Sequence, residues 1–267
     1  MLLPKQVNES STQTLDRPLK VSIVTAVLNR VDTLGHTVRS VAEQDYPDIE
    51  YIVVDGGSTD GTLQLIEQHS DVVDRCITGP DSGIAEAMNK GLQASSGDLV
   101  LFLHADDRLV DAHALSKAVA HIDRLDAIWA FDILFGIGDR ALRCAPRPFN
   151  LWVRFKNPLP HQGVLCPRRV IDLLGSFDEQ LRIDMDYELW LRAYLAGVPL
   201  RRVHQVLAVM GDQGLSSSRD WTGLSRRFAE ERAVQMMHAA GSGWRWVYVL
   251  YWPLYLGYRR VRSLVVN

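Results

Sequence analysis

The chain has 267 residues, of which 47% are hydrophobic, and a formal net charge of -3. This length suits one large domain or two small ones, and the apolar content is typical of a globular core. The negative charge argues against a nucleic-acid-binding protein, which needs a basic surface.

Cysteine usage and the N-terminus predict the compartment. The three cysteines are odd in number and lack metal-ligand spacing, so we expect free thiols that pack as small core residues in a reducing environment. The N-terminus has no apolar run of signal-peptide length, which predicts a cytoplasmic protein. Residues 1–18 are predicted to form a loose polar tail.

The first half of the chain alternates short apolar runs with segments of helical periodicity. The predicted strands are 20–28, 50–54, 72–77 and 99–103, and the predicted helices are 32–44, 60–69, 84–94 and 111–122. This alternation predicts an α/β fold, a Rossmann-like, doubly wound and mainly parallel sheet flanked by helices.

The second half is less regular. Strands are predicted at 127–135 and 203–210, and helices at 167–174 and 184–195. The segment 146–160 holds four prolines and three large aromatics, which indicates an irregular wall or lid. The segment 214–218 is either a loop that closes over a ligand or a plain linker.

The C-terminal segment is aromatic and basic. Residues 244–258 hold seven Trp or Tyr residues and one charge, and three arginines follow by residue 262. The uncharged run is too short to span a bilayer, which takes roughly 20 apolar residues, and we expect Pro253 to interrupt any long helix. The pattern favours contact with a membrane surface. The alternative is a hydrophobic helix packed on the domain or on a second subunit.

Two acidic clusters lie where predicted strands end. Asp55 and two glycines follow one strand, and Asp106 and Asp107 follow another. In open α/β sheets, ligands bind beyond the carboxyl ends of the strands. Oxygen ligands favour hard cations, so the adjacent pair suggests Mg²⁺ or Mn²⁺ completed by phosphates. The alternative is that each aspartate only caps the following helix.

Seven motifs in order resemble the family-2 inverting glycosyltransferases, over roughly residues 21–218. They lie at 21–30, 51–62, 81–91, 97–107, 160–162, 175–179 and 186–192. The resemblance implies a glycosyltransferase A-type fold and transfer from a nucleotide-diphosphate-sugar donor. It also implies a nucleotide-sugar-binding half at 19–127, an acceptor-binding half at 128–218, and a C-terminal helical extension at 219–267.

The same resemblance assigns roles to individual positions. It places Thr25, Asn29 and Asp55 at the nucleoside, Asp81 near the base or ribose, Asp106 at ribose or metal, Asp107 on the cation, His161 and Gln162 on the acceptor side, and Asp186 as the catalytic base.

Some of these positions keep a second interpretation. His161 is either an acceptor-side residue or a structural histidine. The family often has Asn-Ser where this chain has His104-Ala105, and His104 is either near the metal or a packed strand residue. Many members have Glu before the base, whereas this chain has Met185, and Asp184 either replaces that glutamate or does not.

The implied reaction is one inverting displacement, in which the acceptor hydroxyl loses its proton to Asp186 and attacks the sugar C1. The acceptor is expected to be a saccharide or lipid-linked saccharide, in exopolysaccharide, capsule or lipopolysaccharide synthesis. Two other functions stay open, a nucleotidyltransferase and a non-catalytic nucleotide-sugar-binding scaffold at the membrane. The carboxylates Asp106, Asp107 and Asp186 argue against the non-catalytic scaffold, because the chain retains the acids that catalysis would need. A nucleotidyltransferase would need a basic triphosphate loop, where Thr25 to Arg30 offers only Arg30.

Overall fold

The computed structural model describes residues 17–136, 138, 141–211 and 221–265. Most of the predicted N-terminal tail and the predicted loop at 214–218 lie outside these residues. Within them the chain forms one sheet of nine strands, flanked by helices on both faces.

The first half of the sheet is parallel, in the order β3-β2-β1-β4. Its strands are β1 Val21–Val27, β2 Ile49–Asp55, β3 Arg75–Thr78 and β4 Leu99–Phe102, and its crossover helices are α1 Val31–Ala42, α2 Thr62–Gln68 and α3 Ile84–Ala94. Every residue of β1 is buried, as expected for a parallel strand covered on both faces. This order matches one half of the Rossmann arrangement and confirms the predicted fold class.

Alternate residues of the central strands enter two separate cores. Ile23 of β1 packs in the layer that contains α1, whereas Val24 packs in the layer that contains α3 and the later helix α6. Because successive strand residues point to opposite faces, each layer draws on every second residue of the same strand.

The second half of the sheet is mixed. It adds β5 Arg108–Leu109, β6 Ile128–Phe135, β7 Leu142–Cys144, β8 Val164–Pro167 and β9 Leu200–Met210. Strand β8 pairs antiparallel with both β4 and β6, and β9 runs parallel to β6 with register shifts near Asp132. Because β5, β7 and β8 have only two to four residues, they are too short for a periodic signal.

The helices of this half are α4 Ala114–Val119, α5 Arg168–Leu174 and α6 Met185–Leu195. Helix α4 starts three residues later than predicted, because Asp111 forms a turn in which its side chain accepts from the amide of His113. The proline-rich segment is irregular as predicted, apart from a short 3-10 turn at Leu151–Arg154, and a second 3-10 turn, His161–Gly163, follows it directly.

Two long helices follow, α7 Trp221–Met237 and α8 Trp244–Val265. The prediction that Pro253 interrupts the second helix was wrong, since Pro253 lies inside continuous α8. Proline leaves the carbonyl four residues earlier without a helical donor. That residue, Val249, is exposed, so solvent can satisfy its carbonyl. None of the helices in the described residues combines the length and the apolar character of a bilayer-spanning segment.

The cysteines only partly match expectation. All three are free thiols, and Cys166 is buried in the core. Cys76 and Cys144 are exposed, so the prediction that they pack in the core was wrong. Both lie on short strands at the margins of the sheet, β3 and β7, where side chains face solvent.

Candidate functional site

Asp55 closes strand β2 with its carboxylate buried. Its Oδ2 accepts hydrogen bonds from the amides of Gly57 (3.2 Å) and Ser58 (3.0 Å) and from the Thr78 hydroxyl (3.2 Å). Its Oδ1 is buried and has no partner among the described residues. An unpaired buried acceptor is costly, so this oxygen suits a donor group on a ligand. The helix-capping alternative does not apply here, because Asp60 is the acid that bonds the start of α2.

Asp81 lies against the turn that follows Asp55. A side chain at Gly56 would place its Cβ 2.6 Å from Asp81 Oδ2, so the glycine makes room for that carboxylate. The other oxygen of Asp81 accepts from the amide of Gly83 at 3.0 Å. The structure therefore brings the two predicted nucleoside residues Asp55 and Asp81 together at one edge of the sheet.

Thr25 and Asn29 make internal contacts. Thr25 is fully buried, and its hydroxyl donates to the Leu103 carbonyl at 2.5 Å. Asn29 has a positive φ of 51°, and its Oδ1 accepts from the Thr59 amide at 2.9 Å. These contacts fix the strand β4 end and the loop after β2, and direct contact of either residue with a nucleoside stays a prediction.

Asp107 is 2% exposed and lies beyond the end of β4. Its Oδ2 accepts from the His104 amide at 3.1 Å and its Oδ1 from the Gly211 amide at 3.2 Å. Gly211 follows β9, and a Cβ there would lie 2.9 Å from Asp106 Oδ2. Burial raises the pKa of Asp107 to about 6, and the neighbouring Asp106 adds to that rise. A bound cation would offset the cost of this buried charge.

The acid pair offers few ligands for a metal. Among the residues that the structure describes, no three His, Cys, Asp or Glu side chains converge as a metal cage. Mg²⁺ in nucleotide enzymes is usually held by one or two carboxylates plus substrate phosphates. Half-buried Asp106 and buried Asp107 therefore fit a cation that a diphosphate completes, with Asp107 as the predicted ligand.

Asp186 lies in the first turn of α6 and is 9% exposed. Its Oδ1 accepts a hydrogen bond from the backbone amide of Tyr187, the next residue, at 2.7 Å. Its Oδ2 accepts from Asn157 Nδ2 at 3.0 Å and lies 3.5 Å from His161 Nδ1.

Two histidines connect Asp186 to the end of β4. The rings of His104 and His161 lie with centroids 4.6 Å apart. Burial lowers the pKa of His104 well below its ordinary value, so that ring is neutral. Burial also acts to lower the pKa of His161, but the bond to Asp186 and its charge outweigh burial and raise it. His161 thus faces the predicted base. The neighbouring Gln162 forms a hydrogen bond that lowers the pKa of Asp107 and so opposes part of the rise caused by burial.

Sequence reasoning missed Asn157, one of two further residues beside Asp186, and left the role of the other, Asp184, open. Asn157 lies in the proline-rich segment, where no periodicity marks a contact. Asp184 is 3% exposed, and its Oδ2 has no partner among the described residues. Burial raises the pKa of Asp184 to about 8, with Asp186 adding to the rise, so this carboxyl is neutral at pH 7. A buried neutral acid does not reproduce the charge of the glutamate that many family members carry.

The architecture and this edge of carboxylates define a glycosyltransferase of GT-A type. The chain belongs to Glycosyl transferase family 2, whose domain matches residues 22–165. This membership favours glycosyl transfer over nucleotidyl transfer.

Several curated relatives are glycosyltransferases by name. An uncharacterized glycosyltransferase of Mycobacterium tuberculosis is 32% identical over 206 residues, covering 75% of this chain and 78% of the relative. A PGL/p-HBAD biosynthesis glycosyltransferase of Mycobacterium bovis is 28% identical and covers 92% and 96%. A putative teichuronic acid biosynthesis glycosyltransferase of Bacillus subtilis is 39% identical and covers 86% and 94%.

Solved structures show the same fold at low identity. TarS of S. aureus in complex with UDP-GlcNAc has a TM-score of 0.66 at 20% identity, covering 84% of this chain and 68% of that chain. A mannosyltransferase of Pyrobaculum calidifontis in complex with GDP-Man and Mn²⁺ has a TM-score of 0.64 at 18% identity, covering 88% and 69%.

Proposed function

We propose that this glycosyltransferase is metal-dependent and inverting, and that it transfers a sugar from a nucleotide-diphosphate donor to an acceptor hydroxyl in polysaccharide or glycolipid synthesis. The observation that carries the proposal is the contact of Asp186 with His161, whose ring packs on His104 at the end of β4. This contact joins a predicted base to the predicted diphosphate end of the site. Relatives in teichuronic acid and PGL biosynthesis support the polysaccharide or glycolipid context.

The donor half is proposed to hold the nucleotide through Asp55 and Asp81. The free Oδ1 of Asp55 accepts a hydrogen bond from the base, and Asp81 lies beside it for the base or ribose. Asp106 and Asp107 hold Mg²⁺ or Mn²⁺, which when bound stabilises negative charge on the leaving diphosphate. The neighbouring structures with bound UDP-GlcNAc, and with GDP-Man and Mn²⁺, support this kind of ligand set.

The acceptor half is proposed to supply the base. Asp186 takes the proton from the acceptor hydroxyl as that oxygen attacks C1 from the face opposite the diphosphate. His161 and Asn157 hold one oxygen of Asp186, so the carboxylate is oriented before the acceptor arrives. A single displacement inverts the anomeric centre.

The C-terminal helix is proposed to lie on a membrane surface. The inner face of α8 is buried through Tyr248 and Trp252. Trp246, Leu250 and Leu254 lie two residues away, about 200° around the helix, and are 72%, 69% and 76% exposed. The helix has no acidic residue, and Arg245 and Arg262 are exposed on it. Apolar and aromatic side chains flanked by arginines suit the interface of an anionic membrane, where a lipid-linked acceptor would be reached.

A turnover assay with UDP-sugars and GDP-sugars plus Mn²⁺ tests the catalytic proposal. Asp186→Asn should lower kcat by about 10²- to 10⁴-fold, the typical contribution of a general base, with nucleoside-diphosphate affinity unchanged. Asp172→Asn, at an exposed acid of α5, is the matched control and should behave as wild type. Chelation should abolish turnover, and added Mn²⁺ should restore it.

Each part of the proposal has its own contrary result. Full turnover by Asp186→Asn would disprove the assignment of Asp186 as the base. Activity that survives chelation would disprove the requirement for a metal. NMR of the product gives the anomeric configuration, and retention there would contradict the single displacement. Release of pyrophosphate from a nucleoside triphosphate and a sugar 1-phosphate, with no turnover of the nucleotide-sugars, would support nucleotidyl transfer.

A further inference from the structure

The irregular segment before β8 reaches Asp186 through one side chain. Asn157 Nδ2 donates to Asp186 Oδ2 at 3.0 Å, while Asn157 Oδ1 accepts from the Leu159 amide at 3.2 Å. We infer that Asn157 is a positioning residue for the base, and that α7 and α8 hold it in place. The inference rests on the proposed role of Asp186.

The three residues before Asn157 are each anchored by α7 or α8. The Arg154 carbonyl accepts from the Tyr248 hydroxyl at 2.9 Å, and the Phe155 carbonyl accepts from Gln235 Nε2 at 3.2 Å. Lys156 Nζ lies 2.8 Å from Glu231 Oε1, whose side chain is buried. The ring of Phe155 also packs edge-on against three aromatic rings of α8, those of Trp244, Tyr248 and Tyr251.

Helix α7 also contacts the segment just before α6, the helix that carries Asp186. The Glu230 carboxylate accepts from the amides of Arg182 and Ile183, just before α6. His238, the residue that follows α7, lies with its Nε2 2.9 Å from Oε1 of Glu188, which belongs to α6. One helix therefore holds both segments that flank the Asp186 carboxylate.

Gln235 lies at the centre of this arrangement. Its amide nitrogen donates to the Phe155 carbonyl and to the Tyr187 hydroxyl (3.3 Å), and its oxygen accepts from Trp252 Nε1 at 2.8 Å. Gln235, Tyr187 and Trp252 are all fully buried. A buried polar network whose members are satisfied rigidifies its surroundings. Rigidity matters here because a misplacement of about 1 Å can cost a rate of about 10²-fold.

The isosteric variant Asn157→Asp separates positioning from folding. It keeps the oxygen that bonds Leu159 and replaces the donating amide with an oxygen that faces Asp186. We expect kcat to fall about 10- to 100-fold, the range for loss of a hydrogen bond to a charged group, with UDP affinity unchanged. The acid limb of the kcat/KM profile should also move to higher pH, because a like charge makes the base easier to protonate.

A second variant tests the anchoring helices. Gln235→Leu removes all three hydrogen bonds and puts an apolar side chain of similar size in their place, and it should lower kcat with unchanged UDP affinity. Arg232→Ala, at an exposed position on the same helix, is the matched control and should keep wild-type kcat. Thermal unfolding of each variant identifies any that fails to fold.

The outcomes are distinguishable from those of the catalytic proposal. If Asp186→Asn is inactive but Asn157→Asp keeps both kcat and its pH profile, the inference is overturned and the base assignment stands. A loss of kcat in Asn157→Asp with an unmoved acid limb would also overturn it, since a structural role alone predicts that pattern. If Asp186→Asn is active, the base assignment itself fails.

Discussion

Replacing Asp184 with asparagine should make the protein more stable at neutral pH. Burial raises the pKa of this carboxyl from 3.8 to about 8 in the folded protein. Between these values the unfolded chain releases a proton that the folded chain keeps. The folded state then binds more protons, so stability falls as pH rises from about 4 to about 8.

The size of the effect follows from the shift. One pKa unit corresponds to about 1.36 kcal/mol, so keeping the acid neutral at pH 7 costs the wild type up to about 4 kcal/mol. Asparagine has the same shape and never ionises. Asp184→Asn should therefore match the wild type near pH 4 and exceed it increasingly up to pH 7, by about 1.4 kcal/mol per pH unit at most.

Urea unfolding followed by tryptophan fluorescence, from pH 4.5 to pH 7.5, measures this directly. The gap in unfolding free energy between Asp184→Asn and wild type should widen with pH, while exposed Asp172→Asn should show no such trend. A gap that stays constant across the range would refute the reasoning, because it would mean that Asp184 ionises as readily in the folded state as in the unfolded chain.

Three further outcomes follow from the structure. Gly56→Ala would place a methyl group 2.6 Å from Asp81 Oδ2, and it should weaken UDP binding about tenfold by calorimetry, or 1.4 kcal/mol; an unchanged Kd would contradict the placement of Asp81. Gly97→Ala would place a methyl group 2.6 Å from the backbone of β1, and it should lower the unfolding free energy by about 1–3 kcal/mol, which a urea midpoint at the wild-type position would disprove. Leu250→Glu should reduce co-sedimentation with anionic vesicles, whereas Ala233→Glu on α7 should not; equal binding of both variants would count against the outer face of α8 as the contact.

The sequence predicted the parallel half of the fold because its signals are local. The apolar run of β1 and the helical spacing of α3 need no partner to be read, and α3 spans the predicted residues. The register that places Asp55 beside Val27 follows once those strands are parallel neighbours. The adjacent carboxylates Asp106 and Asp107 were likewise visible as a strand end.

The features that sequence reasoning missed depend on distant contacts. Strand β8 has four residues, and its pairing between β4 and β6 determines it more than its composition does. Asn157 has a meaning only because Asp186, 29 residues later, lies 3.0 Å away. The sequence shows that Thr25 lies in a strand, but it does not show what its hydroxyl contacts. That partner, the Leu103 carbonyl, is 78 residues away.

Helix α8 has one buried face and one exposed face. Trp252 on its inner face and Leu250 on its outer face are separated by only two positions in the chain, yet one is buried and the other is 69% exposed. Single substitutions can therefore alter one surface while sparing the other. Under the proposed function, a genetic screen that scores glycan synthesis and protein localisation separately would divide mutations in this helix into two classes, one for each face.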